Sequence, residues 1–249
     1  MAILAPATTP RALFDLDDQD LKGYNILIHG INASGKTHLI GDFLATEKAN
    51  GSVRFINVRG EDGMLTLKGM GLGKVGETIG SYDEMEQALD DCRKTGIHAC
   101  GIDSLAPLNS WARVKSFKTD RMPSSPDEWT ELHRLMNNIM FKAKGSVKLL
   151  MCSCPSDRSV DQVTQKTYVT PDLPGKEARS SAGWFDFVGY LSAEATTPTT
   201  VKRTLLMAPN GTITVRQRLP KQITSAIELP NGLGGWLAVR KAIEAGMGK

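Results

Sequence analysis

The residues with the clearest chemistry run from Gly30 to Thr37, GINASGKT, directly after the apolar stretch YNILIH. Their spacing satisfies G-x-x-x-x-G-K-[ST], a pattern in which each position has a physical task. Gly30 and Gly35 permit a tight backbone path, Lys36 supplies a cation to the β- and γ-phosphates of a nucleotide, and the Thr37 hydroxyl can ligate Mg²⁺. With a strand before it and a helix after, successive backbone N–H groups of Asn32, Ala33, Ser34, Gly35, Lys36, Thr37 and His38 can surround phosphate oxygens. The alternative is a glycine turn that merely starts a helix.

A phosphate cradle hydrolyses nothing without further groups. Asp103 ends the apolar run ACGID, where a carboxylate would steady magnesium-bound water against Thr37. The competing reading is an aspartate that caps the following turn, with Ser104 a fitting neighbour. The attacking water also needs a carboxylate beyond the γ-phosphate. RGEDG follows VRFINV and places Glu61 and Asp62 at the carboxyl end of a parallel strand, where ligands gather in open α/β sheets. Glu61 is the candidate base, and a solvated loop acid is the alternative. Cys152 and Cys154 have no partner pair at zinc spacing and read as buried strand cysteines.

These side chains need elements to hold them. Residues 1–22 read as an irregular arm, with Pro6, Pro10 and the acidic DLDDQD; residues 23–249 read as one domain. YNILIH, KTHLIGDFLATEKA and VRFINV switch between strand and helix periodicity, the signature of a parallel βαβ unit. Residues 63–80 hold six glycines and no sustained period, which predicts loop with one short strand at most. SYDEMEQALDDCRKTG carries a capping box, Ser81 with Glu84, and stops at Gly96. Beyond Asp103, residues 109–126 read as a polar, basic, proline-containing connection. PDEWTELHRLMNNIMFKAKG is then a helix with a stripe of Trp129, Leu132, Leu135, Met136, Ile139 and Met140. VKLLMCSC predicts a buried strand, residues 155–183 a connection without a period, and TVKRTLLMAPNGTITVRQRLP a hairpin turning at Asn210-Gly211. A short amphipathic helix starts at Gly235. The expected fold is α/β: a mostly parallel twisted sheet flanked by helices, with a C-terminal hairpin.

Composition narrows the classes. Hydrophobic residues at 41% and charged residues at 23% of 249 argue against wholesale disorder or a fibrous repeat. A net charge of +3 means that any nucleic-acid surface must come from local clustering. The four cysteines do not make a disulfide framework, the N-terminus lacks a basic region followed by a long apolar core, and no apolar run approaches the roughly 18 residues of a membrane span. A cytoplasmic chain with no membrane segment is the expectation.

In combination, GINASGKT, RGEDG, IDSLAPL and RLMNNIMFKAKGSVKLLMCS, spread over residues 22 to 155, resemble the RecA-core P-loop ATPases. LPGK, WFDFVGYL and VRQRLP are similar to features of the phage-encoded Sak-type single-strand annealing and recombination ATPases. The resemblance implies a RecA-like fold, ATP and Mg²⁺ as cofactors, and a ring or filament oligomer with nucleotide between protomers. It implies that basic residues of one chain reach the γ-phosphate held by the next. Arg216 and Arg218, two apart on a strand and so on one side of it, are the candidates for that finger, or else an exposed cationic strand face.

Single-stranded DNA is the implied partner, and two connections are the implied DNA-binding loops. SWARVKSFKTDRMPSS interleaves Arg113, Lys115, Lys118 and Arg121 with Trp111 and Phe117. The second connection carries Arg158, Lys166, Tyr168, Lys176 and Arg179. Cations for phosphates and aromatic faces for bases suit binding without sequence readout, although both segments also fit ordinary solvated loops. Where the RecA group has a polar sensor residue, this chain offers Ser153, Cys154 and Pro155, with Ser153 or Ser156 as substitutes. Tyr82 is the aromatic candidate for stacking on adenine. The implied function is ATP hydrolysis coupled to homologous recombination or strand annealing. The alternatives are a P-loop ATPase acting as a switch or loading motor on a protein partner, or a small-molecule kinase, for which an arginine-rich lid is lacking.

Overall fold

The computed structural model describes residues 23–173, 181–197 and 200–248. The arm expected over residues 1–22, and Lys176 and Arg179 of the second connection, lie outside the described residues. The chain opens as its periodicity implies, with β1 (Asn25–Gly30), α1 (Lys36–Glu47) and β2 (Val53–Val58). β3 (Gly76–Ile79), α3 (Tyr82–Thr95), β4 (Ala99–Asp103), α5 (Pro126–Ser146), β5 (Leu149–Val160) and β7 (Phe187–Thr197) complete a mixed α/β architecture. Six strands run parallel in the order β7-β1-β5-β4-β2-β3. β8 (Thr200–Leu206) and β10 (Ile227–Leu229) extend the sheet in antiparallel fashion beyond β7.

Strand alternation divides the core into two layers. Leu27, Ile102, Leu150 and Cys152 join the layer formed with α3 and α5, where the stripe Leu132, Leu135, Met136, Ile139 and Met140 is buried as its spacing implies. Both helices are capped: the Ser81 hydroxyl accepts from the Glu84 N–H at 3.2 Å and the Ser125 hydroxyl from the Glu128 N–H at 3.3 Å. Ile26, Ile28, Phe55 and Met151 join the opposite layer, beneath α1 and the last helix, α6 (Gly235–Gly246). α1 lies directly on the sheet because β4 offers Gly101 there; a Cβ on it would stand 2.3 Å from Cγ2 of Ile40.

α6 has no side-chain cap of its own and borrows one from α1. Asp42 accepts from the Gly234 N–H at 2.9 Å and the Trp236 N–H at 2.7 Å, while the Trp236 indole donates to Glu47 at 2.8 Å. Burial by itself would push the Glu47 carboxyl up. Hydrogen bonds from Asn50, Trp236 and His98, with the Arg240 charge, outweigh it and hold the carboxyl below the usual range.

Four segments differ from the sequence expectation. Within residues 63–80, Gly63–Gly69 form a helix, α2, because Leu67 packs fully buried against the α1 layer. The connection expected from residue 109 is instead mostly helix, α4 (Ala106–Phe117); its core stripe is only Leu108, Ala112 and the partly buried Trp111, too narrow to show as a period. β5 does not stop near Cys154 but runs to Val160 and pairs antiparallel with β6 (Thr167–Pro171). Its outer residues are exposed, so no apolar alternation marks them.

The C-terminal hairpin is β7 with β8, Thr197 opposite Thr200, rather than a pair turning at Asn210-Gly211. A turn does form at Asn210, whose Oδ1 accepts from the N–H groups of Thr212 and Ile213 at 3.1 and 2.8 Å. The segments on either side part company, because β9 (Arg216–Gln217) pairs with β7 instead of β8. Among the described residues no helix is long and apolar enough to cross a membrane.

Candidate functional site

The Gly30–Gly35 loop leaves the carboxyl end of β1 and enters α1. A Cβ on Gly30 would stand 2.4 Å from the Leu191 carbonyl oxygen, and Gly35 adopts a φ of 99°, so both glycines are sterically required. Ser34 is fully buried inside this turn, and its hydroxyl has no partner among the described residues. The Lys36 ammonium folds back to donate to the Gly30 and Ile31 carbonyls at 2.9 Å each. Burial pushes its pKa below the ordinary lysine value, against the pull of Asp103 and Glu61.

Thr37 and Asp103 meet. The Thr37 hydroxyl donates to Asp103 Oδ2 at 2.5 Å, and the Ser153 hydroxyl donates to the other carboxylate oxygen. Gly63 leaves room for this, since a Cβ there would lie 3.0 Å from Asp103 Oδ2. Glu61 stands across the same cleft and accepts from the Ser104 hydroxyl at 2.9 Å. The cleft has a volume of about 560 Å³, with Asn32, Ala33, Lys36, His38, Glu61 and Asp103 among its walls, a size that suits a small ligand.

Among the described residues no three His, Cys, Asp or Glu side chains cluster as a metal cage. One hydroxyl and one carboxylate beside a helix N-terminus are instead a donor set that fits Mg²⁺, which takes few protein ligands and completes its shell with water or phosphate oxygens. Cys152 and Cys154 lie buried in β5, where burial pushes both thiols up.

His29, one residue before the loop, is a contact that sequence reasoning passed over. Its Nε2 lies 2.7 Å from the Thr214 carbonyl, which only accepts, so Nε2 carries the proton and Nδ1 accepts from the Ser156 hydroxyl at 2.8 Å. Burial lowers the His29 pKa to about 4, against the pull of the Thr214 carbonyl and with help from Lys36. The unfolded chain therefore takes up this proton first. Stability should fall as pH drops from about 6.5 to about 4, by about 3 kcal/mol, and be fully present above that window. Urea melts across that window should show the slope in the wild type and a shallower one in His29→Gln; equal slopes would assign the acid loss to another group.

The cations expected to bind DNA in the first connection are occupied. Arg113 and Lys115 sit on α4 rather than on a loop; Arg113 donates to Asp120 at 2.7 Å, and Lys115 to Asp83 and Glu86 at 2.6 and 2.8 Å. Arg121 pairs with Glu128 and lies over the Phe117 ring, and Lys118 donates to the Lys115 carbonyl at 3.3 Å. In the second connection, Arg158 and Lys166 are exposed on the β5–β6 hairpin. Tyr82 cannot stack on a base: it is 3% exposed and its hydroxyl donates to the Leu135 carbonyl.

Arg216 and Arg218 do not line the cleft beside the loop of their own chain. Arg216 pairs in register with Val188 and donates to the Ala182 carbonyl at 2.9 Å, and Arg218 is 3.5 Å from Asp186. The arginine that does reach the loop is Arg203 of β8, which lies against Gly35. Nothing in the neighbouring sequence VKRTLL signals it, because its position depends on the pairing of β8 with β7 and β10. Compared with protein-family models and with curated proteins, the chain matches none.

Proposed function

We propose that this chain is a RecA-type P-loop ATPase that binds single-stranded DNA and assists recombination or strand annealing as a self-assembling oligomer. The observation that carries the nucleotide part is the hydrogen bond from Thr37 to Asp103, which joins the loop after β1 to the end of β4 across the intervening β5. A glycine turn that merely starts a helix has no reason to meet a buried carboxylate there.

In this reading the loop N–H groups bind the phosphates of ATP, and Lys36 exchanges two carbonyl acceptors for phosphate oxygens. Thr37 and Asp103 are the residues that would hold Mg²⁺, which when bound neutralises charge on those oxygens. Glu61, oriented by Ser104, accepts the proton of the attacking water, so that ATP and water become ADP and phosphate.

The DNA part is supported by continuity of structure. β5 carries Ser153, bonded to Asp103, then Pro155 at the cleft wall, then Arg158 in the exposed hairpin. Exposed cations with the half-buried Tyr168 nearby suit a single strand. Arg216 and Arg218, neither of which lines the cleft of its own chain, are the candidates for a role toward a neighbouring protomer. The ion pairs of the first connection instead favour the second reading, a motor or switch acting on a protein partner.

The test is ATP hydrolysis with and without single-stranded DNA at low salt, with particle size measured on the same samples. Magnesium-dependent turnover that rises with DNA, alongside larger particles, is the expected result. Turnover and assembly that ignore DNA would transfer the reading to the protein-directed motor, and failure to take up ATP with Mg²⁺ would end the nucleotide reading.

A further inference from the structure

We propose that Arg203 is a phosphate-contacting residue of this nucleotide site, supplied by the same chain from β8; the assignment rests on the nucleotide reading of the Gly30–Thr37 loop. A Cβ on Gly35 would stand 2.8 Å from Nε of Arg203, 3.2 Å from its Cδ and 3.8 Å from its Cζ. The guanidinium group therefore crosses the bare face of the residue that caps the N-terminus of α1. That end of a helix already favours an anion through its free N–H groups.

The hydrogen bonding of Arg203 is incomplete in a way that names its partner. Among the described residues, its buried Nε has no acceptor, and its Nη1 is 3.5 Å from Asn231 Oδ1. A buried donor of a charged group left unpaired is costly, and guanidinium donates without accepting, so the absent partner is an acceptor and is best an anion. Lys202, the preceding residue on β8, gives the contrast: it has its carboxylate, Glu228, at 2.5 Å. Register fixes Arg203 in place, opposite Ala193 on one side and Leu229 on the other.

Phosphate is the anion that fits. The planar guanidinium fork matches two phosphate oxygens, and the loop beside it is already built to receive them. Lys36 and Arg203 then approach the phosphates as separate cations, one from inside the loop and one from over Gly35. His38, whose Nε2 is 3.0 Å from the Gly232 carbonyl, ties the β10–α6 loop that carries Asn231 to the start of α1. Nucleotide binding thereby draws on the antiparallel end of the sheet as well as on the parallel strands.

The experiment measures Mg-ATP and Mg-ADP binding by the full chain, with Arg203→Gln and Arg203→Lys as variants and the nucleotide-free thermal midpoint of each as a second readout. Gln keeps most of the stem over Gly35 and removes the charge. Arg203→Gln is expected to weaken both nucleotides by about tenfold or more, the size of a lost charged hydrogen bond. Arg203→Lys should recover part of the loss, with neither variant's nucleotide-free midpoint below that of the wild type. Binding by Arg203→Gln within twofold of wild type overturns the assignment. A loss shared by both variants, together with a fall in both midpoints, also overturns it, because that pattern marks packing rather than phosphate contact. If the wild type binds neither nucleotide, the reading of the loop fails and the assignment with it, an outcome distinct from the other two.

Discussion

Lys36→Ala is expected to lower ATP turnover by roughly 10²–10³-fold, the cost of removing one preorganised charge from a phosphoryl-transfer site. Its half-buried ammonium already sits inside the loop, on the two carbonyls that it would exchange for phosphate oxygens. Asp103→Ala should cost a similar factor for a different reason: it strands the hydroxyls of Thr37 and Ser153 and removes the carboxylate that would hold Mg²⁺. On the proposed nucleotide reading both residues serve one phosphate unit, so the double variant should fall far short of the product of the two losses. Steady-state phosphate release measures all three. Turnover in Lys36→Ala within tenfold of wild type would remove that residue from the site.

Asp42→Ala should destabilise the fold by about 3 kcal/mol, because the Gly234 and Trp236 N–H groups lose their shared acceptor at a buried helix end. The thermal midpoint would drop by roughly 6–12 °C for a chain of this size. Asp42 is 2% exposed and the start of α6 has no other side-chain cap, so no solvent or neighbour replaces the carboxylate. Asp42→Asn, which keeps one acceptor, should lose less than half as much. Tryptophan emission should shift to the red in Asp42→Ala as Trp236 leaves its buried seat. A midpoint within about 2 °C of wild type would mean that α6 is held by packing alone.

Both effects depend on pairings of very different legibility. The glycine loop between β1 and α1, the capping box at Ser81 and the buried stripe of α5 were readable because each is local chemistry, written in residues within a few turns of one another. Asp103 was readable one step further, as a carboxylate ending an apolar strand, although its partner Thr37 is 66 residues away. α4 and the β5–β6 hairpin were not. Their polar, cationic residues gave no period, since one helix buries only a narrow stripe and the hairpin is exposed on its outer half. Among the cations of the first connection, Lys115 read as a free charge because its carboxylates, Asp83 and Glu86, belong to another helix, whereas Arg113 and Arg121 pair with Asp120 and Glu128 nearby in sequence.

The amino-acid order alone determined which residues form the tight loop entering α1, because glycines at fixed offsets between an apolar strand and a helix-forming run permit that backbone path. It also determined that parallel strands carry them, through a hydrophobic period that changes from two to about 3.6 and back. Only the tertiary structure decided that Asp42 caps a helix 192 residues onward and that Arg203 crosses Gly35. Such contacts depend on strand order and on the space left by absent side chains, and these arise when the whole sheet has closed.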